Sequence, residues 1–357
     1  LSIREVPRPM TFVTPMLPPQ PVLSLPARAP GSGQPAENRA TSVLGQDTAA
    51  FSTAIAPPPH KRSFFEKLLS PYLNYAASLG AKKFMHSART ADEVTPTQLG
   101  LAATPLSFTS RDGKTPLVGY YMPADKPTDR TVVLAHGWGG QQGAELKRFA
   151  KWLHDAGYNV LSFDFRNSGG SGGTQCTMGY EEQWDLQAAI DQAVGKGAKR
   201  IAVMGRSMGG ATAIELAARD PRINTIVDDC AFDTIYDAIE PRVERERQQV
   251  GPFKIPYPFP HLAATAIAEQ VDRDANEPVA ESNPIDAIKK LGDRPILIIH
   301  GAADDETLPE DSQHLYDADP GQNKELWLVP KATHGQSYDT DPRGYRDRVL
   351  RFLNINL

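Results

Sequence analysis

Residues 201–212 read IAVMGRSMGGAT. Ile201 to Met204 form an apolar run suited to a buried strand, and the residues after Met208 favour helix. A serine between two glycines, Gly205-Arg206-Ser207-Met208-Gly209, stands where the strand must become the helix. An incidental serine in a turn is one reading. The other is a nucleophile raised off the end of a sheet, and this needs a strained backbone at Ser207 with no bulky side chain two residues away on either side. Gly205 and Gly209 meet that need, and Gly210 lets the helix pack closely.

Outward from this stretch, strands and helices alternate. Strands are expected at Thr131–Ala135, Val160–Phe165, Ile201–Gly205, Thr225–Asp229, Pro295–Ile299 and Glu325–Val329. Helices are expected at Ala144–Ala156, Tyr180–Val194, Met208–Ala218, Glu310–Ala318 and Pro342–Leu353. Continuous apolar strands separated by helices predict a mostly parallel α/β sheet covered on both faces. LSFTSRDGKTPLVGYYM, turning at Asp112-Gly113, predicts an antiparallel hairpin at its edge.

A serine hydroxyl attacks well only when a base takes its proton. On this topology the base follows the last strand and the acid follows the strand before it. LWLVPKATHGQS places His334 in the first position, and ILIIHGAADDETLP places Asp304 and Asp305 in the second. Asp304 is preferred because the strand end fixes it, whereas counting back from Pro309 favours Asp305. The other histidines read as tail, surface or helix residues. His300 reads as a satisfied core histidine and His136 as packing in its own loop. An oxyanion hole needs two backbone N–H donors. Met208 supplies one, and Trp138 in LAHGWGGQ supplies the other. The glycine-rich RNSGGSGGT, residues 166–174, matches no phosphate-binding pattern and reads as a flexible turn.

With 357 residues, 40% hydrophobic and 23% charged, the chain can bury a large core. A net charge of −5 gives no reason to expect a nucleic-acid partner, and no run of 18 apolar residues predicts a spanning helix. Two cysteines, Cys176 and Cys230, make neither a disulfide framework nor a zinc pattern, so free thiols and a cytoplasmic location are expected. The start at Leu1 lacks the order of a secretion signal and leaves open a leader already removed.

Twelve of the 31 prolines fall in residues 1–60, which sets residues 1–62 apart as a disordered or polyproline-like tail. Residues 63–97 hold an amphipathic helical segment. Within residues 63–88, Phe64, Leu68, Tyr72, Tyr75 and Leu79 share one face, which packs on the main domain or lies on a membrane surface. The main domain spans 98–357, with an insertion at about 232–290 read as a small helical cap. Its Phe253, Tyr257 and Phe259 are expected to help line an apolar substrate pocket.

HGWGG (136–140), DFRNSGGS (164–171), GRSMGG (205–210), IHGAADD (299–305) and THG (333–335), in that order, resemble the α/β-hydrolase superfamily from about residue 98 to the C-terminus. FDFRNSGGSGG followed by Gly179, Glu182 and Asp185 resembles a group of bacterial serine hydrolases, relatives of which often carry an N-terminal membrane-proximal helix. The resemblance implies an eight-stranded sheet with a small cap, a Ser207–His334–Asp304 triad, an oxyanion hole at Trp138 and Met208, and ester substrates. The acid loop is one residue longer than the usual spacing to its proline, and the first 60 residues have no counterpart.

The reading is therefore a metal-free, cofactor-free serine hydrolase acting on a small-molecule carboxylic ester through an acyl-enzyme. A thioesterase, a peptidase or amidase, or a non-catalytic binding protein on the same fold are the alternatives. Oligomeric state is not fixed by the sequence.

Overall fold

The computed structural model describes residues 64–249 and 259–357; the proline-rich segment 1–62, Phe253 and Tyr257 lie outside them. Helix α1 (Phe64–Met85) precedes strands β1 (Thr104–Thr109), β2 (Pro116–Met122) and β3 (Arg130–Ala135). Helices α2 (Gln142–Glu145) and α3 (Lys151–Asp155) follow, joined by a π-helical turn at Leu146–Ala150, then β4 (Asn159–Phe163) and α4 (Glu182–Gly195). Next come β5 (Arg200–Arg206), α5 (Met208–Ala217), β6 (Ile223–Asp229), α6 (Ile235–Gln249), α7 (Phe259–Ala275) and α8 (Pro284–Ile288). Strand β7 (Ile296–Gly301), α9 (Pro309–Ala318), β8 (Lys324–Val329), α10 (Ser337–Thr340) and α11 (Pro342–Asn356) complete the chain.

The strands form one eight-stranded sheet in the order β1-β2-β4-β3-β5-β6-β7-β8. The β1–β2 hairpin and the β2–β4 pair are antiparallel, and all other pairs are parallel. The hairpin turns where expected: the Asp112 carboxylate accepts the N–H groups of Lys114 and Thr115, and Gly113 takes φ +75°.

The two-residue period of a strand explains why both faces are apolar. Val133, Val203, Ile296 and Ile298 point to one core layer with Leu186, Ile190, Ile214 and Leu315 of the covering helices. Val132, Leu134, Met204, Leu297 and Ile299 point to the other, against Leu153, Tyr345, Val349 and Phe352. The parallel strands end in register, Ala135 beside Gly205, Arg206 beside Asp229 and Gly301 beside Val329. The loops after β3, β5, β6, β7 and β8 therefore leave from one edge of the sheet, where α/β folds place their sites.

Helix α1 lies along α7 of the insertion. Leu73, Ala77 and Ala81 are buried, and a Cβ on Gly80 would come within 2.5 Å of Ile267 Cδ1, so glycine is what allows this close approach. No helix among the described residues is long and apolar enough to cross a membrane.

The 166–174 segment is not the flexible turn expected. Asn167, Ser168 and Ser171 are buried, and Asn167 N–H donates to Gly172 O at 2.7 Å. Asp164 accepts the Gly170 and Gln142 N–H groups, while Arg166 makes a buried bidentate pair with Asp185. The glycines serve close packing: a Cβ on Gly169 would sit 2.2 Å from Asp164 Oδ2.

Candidate active site

Ser207 has φ 53° and ψ −120°, a combination L-residues avoid at a cost of roughly 1–3 kcal/mol. Its surroundings hold it there. The Ser207 N–H donates to Asp229 O on β6, and its carbonyl accepts from Gly210 and Ala211 as α5 begins. A Cβ on Gly205 would stand 2.3 Å from Gly209 O, and one on Gly209 would stand 2.2 Å from Ala135 O. A Cβ on Gly210 would meet Asp228 Oδ1 at 2.0 Å. Each glycine of the motif thus answers a specific backbone or side-chain approach.

His334, in the loop after β8, places Nε2 3.0 Å from Ser207 Oγ and Nδ1 2.8 Å from Asp304 Oδ2. Of the two candidate acids, it is Asp304 that faces the imidazole. Asp305 is 74% exposed and lies 3.7 Å from Arg245. The strand end decides between them: Asp304 N–H bonds Gly301 O, and its Oδ1 accepts the N–H groups of Glu306 and Thr307. Burial alone would raise the Asp304 carboxyl. Bonds from His300 and His334, the charge of His334 and the Glu306 amide outweigh burial and hold it well below the usual carboxylate range.

Two residues touch Asp304 or His334 in ways the sequence did not show. His300 Nε2 lies 3.3 Å from Asp304 Oδ2 and 3.1 Å from Thr307 O, while its Nδ1 meets Ser312 Oγ at 2.6 Å. His300 is a satisfied core histidine that also touches the acid. Burial would lower its pKa, but bonding to Asp304 and the charges of Asp304 and Asp228 raise it. Thr307 Oγ1 lies 3.2 Å from His334 Nδ1 and donates to Cys230 O at 3.1 Å. No motif marks Thr307, and IHGAADD holds His300 without revealing its contact with Asp304, because both contacts depend on how the acid loop closes.

The loop after β3 comes against the serine. A Cβ on Gly137 would lie 3.3 Å from Ser207 Cβ and 3.2 Å from Arg206 O. Met208 opens α5, and among the described residues neither its N–H nor that of Trp138 has a hydrogen-bond partner. The Trp138 indole N–H donates to Phe84 O at 2.7 Å, which fixes the loop to the end of α1. His136 is fully buried. Its Nε2 accepts the Phe165 N–H, and desolvation lowers its pKa, so it is a neutral loop anchor. The half-buried Arg206 pairs with the buried Glu145 at 2.6 Å, and Arg206 also packs against Gly335 beside His334.

Of the three aromatic residues expected to line a pocket, only the backbone of Phe259, at the start of α7, belongs to the described residues. Both cysteines are free and buried. Cys230, Asp304 and His334 offer donor atoms within 4.8 Å of one another. Two of the three are already bonded to each other, and burial, with the Asp229 and Asp304 charges, pushes the Cys230 thiol up and keeps it protonated.

An eight-stranded, mostly parallel sheet with a strained serine at the β5–α5 turn defines an α/β-hydrolase fold. The comparisons with known proteins agree, and the chain is a hydrolase of the α/β-hydrolase superfamily. The family model described as serine aminopeptidase, S33, matches residues 126–232. The uncharacterized protein YqkD of Bacillus subtilis is 28% identical over 67% of this chain and 75% of its own. The uncharacterized protein YfhR of Escherichia coli strain K12 is 26% identical over 71% of this chain and 81% of its own. Among solved structures, the esterase Pf2001 of Pyrococcus furiosus aligns with a TM-score of 0.63 at 25% identity, covering 76% of this chain and 98% of that one.

Proposed function

We propose that the protein hydrolyses carboxylic esters of small molecules through an acyl-enzyme on Ser207. The observation that carries this reading is the Ser207–His334–Asp304 alignment at 3.0 and 2.8 Å. In this reading His334 Nε2 takes the hydroxyl proton as Oγ attacks the ester carbonyl carbon. Asp304, anionic and bonded to Nδ1, fixes the tautomer and stabilises the imidazolium. The Trp138 and Met208 N–H groups bind the oxyanion, a contribution that elsewhere amounts to roughly 3–4 kcal/mol per donor. His334 then protonates the departing alkoxide. Water, deprotonated by the same imidazole, attacks the acyl-enzyme and releases the acid.

The ester preference draws support from the Pyrococcus esterase, which the chain covers almost end to end. The serine aminopeptidase match favours a second reading, in which the same attack cleaves an amide.

The test is turnover of p-nitrophenyl esters from acetate to palmitate, beside aminoacyl p-nitroanilides. Wild type is compared with Ser207→Ala, Asp304→Asn and Asp305→Asn. Turnover of esters should vanish in Ser207→Ala and fall about 10⁴-fold in kcat in Asp304→Asn. Asp305→Asn should stay within about twofold, because an exposed surface side chain adds little. Labelling of wild type by a fluorophosphonate, absent in Ser207→Ala, establishes an activated serine independently of substrate. A labelled enzyme that turns over anilides but no ester replaces the first reading with the second. No labelling at all rejects both.

A further inference from the structure

Away from the serine, a second polar cluster sits where the insertion leaves the sheet. Asp233 lies in the turn between β6 and α6, and Asp311 and His314 lie on α9, the helix after the Asp304 loop. Asp233 and Asp311 are 8% and 4% exposed. Each has a fully buried carboxylate oxygen with no hydrogen-bond partner: Asp233 Oδ1 and Asp311 Oδ2. His314 Nδ1 lies 2.9 Å from Asp233 Oδ2, and its side chain is 60% exposed, which opens the cluster to solvent. Among the described residues, no lysine or arginine pairs with either carboxylate. A third carboxylate, Asp237, raises the local negative charge around Asp233.

Buried carboxylates normally carry a cation or a full set of donors, because desolvating an unpaired charge is costly. Here donors are missing at two buried oxygens, and an imidazole completes the group. One donor atom from each of Asp233, Asp311 and His314 falls within 4.8 Å of the others. We infer that Asp233, Asp311 and His314 form a divalent metal site of the Zn²⁺ class, separate from the candidate active site. Two oxygens and one imidazole nitrogen suit Zn²⁺ better than Ca²⁺ or Mg²⁺, which take oxygen ligands. Metal bonds of about 2.0–2.2 Å would draw the three groups together, with water in the fourth position. The ion would join the root of α6 to α9. Helix α9 also carries Ser312, which holds His300 against Asp304.

The experiment is equilibrium dialysis of chelator-stripped full chain against Zn²⁺, with bound metal counted by mass spectrometry and Tm measured alongside. Wild type should bind one ion per chain and gain Tm with Zn²⁺, as any ligand specific to the folded state requires. Asp311→Asn and His314→Ala should each weaken that binding by about 100-fold or more, with ligand loss exceeding the roughly 10- to 100-fold effect of an outer-shell change. His314→Ala alters a mostly exposed side chain, so it keeps the test valid if Asp311→Asn folds poorly. Cys230→Ser removes a donor from the other cluster and should leave binding unchanged. The inference is overturned if Asp311→Asn and His314→Ala bind Zn²⁺ as wild type does. It is equally overturned if wild type binds none at millimolar metal; a raised Tm in Asp311→Asn would then identify a shared proton in place of an ion. Neither result depends on whether Ser207 cleaves esters.

Discussion

His300 Nε2 lies 3.3 Å from Asp304 Oδ2, the same oxygen that faces His334. The acid therefore sits between two imidazoles, one exposed toward the serine and one sealed in the core. The inner one sets where the carboxylate points. Replacing His300 with Phe removes a hydrogen bond to a charged group, about 1.5–3 kcal/mol. We expect kcat/KM on a p-nitrophenyl ester to fall roughly ten- to a hundredfold. His300→Gln, which can still donate to Asp304, should recover part of the loss. A folded His300→Phe protein with unchanged kcat/KM would show that Asp304 needs no second support.

The approach of Gly209 to the end of β3 sets a second expectation. A methyl group there would overlap Ala135 O at 2.2 Å, and backbone cannot rotate away as a side chain can. Overpacking of this kind costs about 1–3 kcal/mol, so Gly209→Ala should lower Tm by roughly 5 °C. Thermal unfolding followed by circular dichroism reads this directly. A Tm equal to wild type would mean that the elbow shifts freely. That would contradict the tight fit inferred for the serine.

Glu215 on α5 supplies a pH-dependent term. It is buried against Ser282 Oγ and Gln183 Nε2, and desolvation raises its pKa to about 7 despite those bonds. A carboxyl whose pKa is raised by folding favours the folded state fully below its unfolded value of about 4.5, and that advantage is lost as pH rises through about 7. Across that window the effect is on the order of 3 kcal/mol. Glu215→Gln titrates in neither state, so the wild-type-minus-variant difference in unfolding free energy should decline between about pH 4.5 and 7. A difference that stays flat across that window would mean Glu215 is ionised throughout.

The alternation of strands and helices was legible because buried parallel strands must be apolar on both faces. β4 and β7 show this, with every position buried. The serine was legible because its backbone demands glycines at fixed offsets, and the base because β8 ends just before His334. The choice between Asp304 and Asp305 needed coordinates, since adjacent residues point to opposite sides of a loop. The contacts made by His300, Thr307 and the Arg206–Glu145 pair carried no local signal. Their partners lie 4 to 61 residues away and meet only through tertiary closure. The 166–174 loop was misjudged because glycine content was taken for mobility, when here it serves close contact with Asp164 and Arg166.

The bond from the Trp138 indole to Phe84 O bears on where this protein can be cut. Trimming the chain to the strands and their covering helices, from about residue 98, would remove the acceptor of that bond and uncover Ala266 and Ile267 on α7. Such a fragment would keep Ser207, His334 and Asp304 yet loosen the loop that carries the Trp138 amide. Limited proteolysis between Met85 and Leu101 should inactivate the enzyme without touching its three central side chains. For expression or engineering, the smallest sound unit begins no later than Phe64.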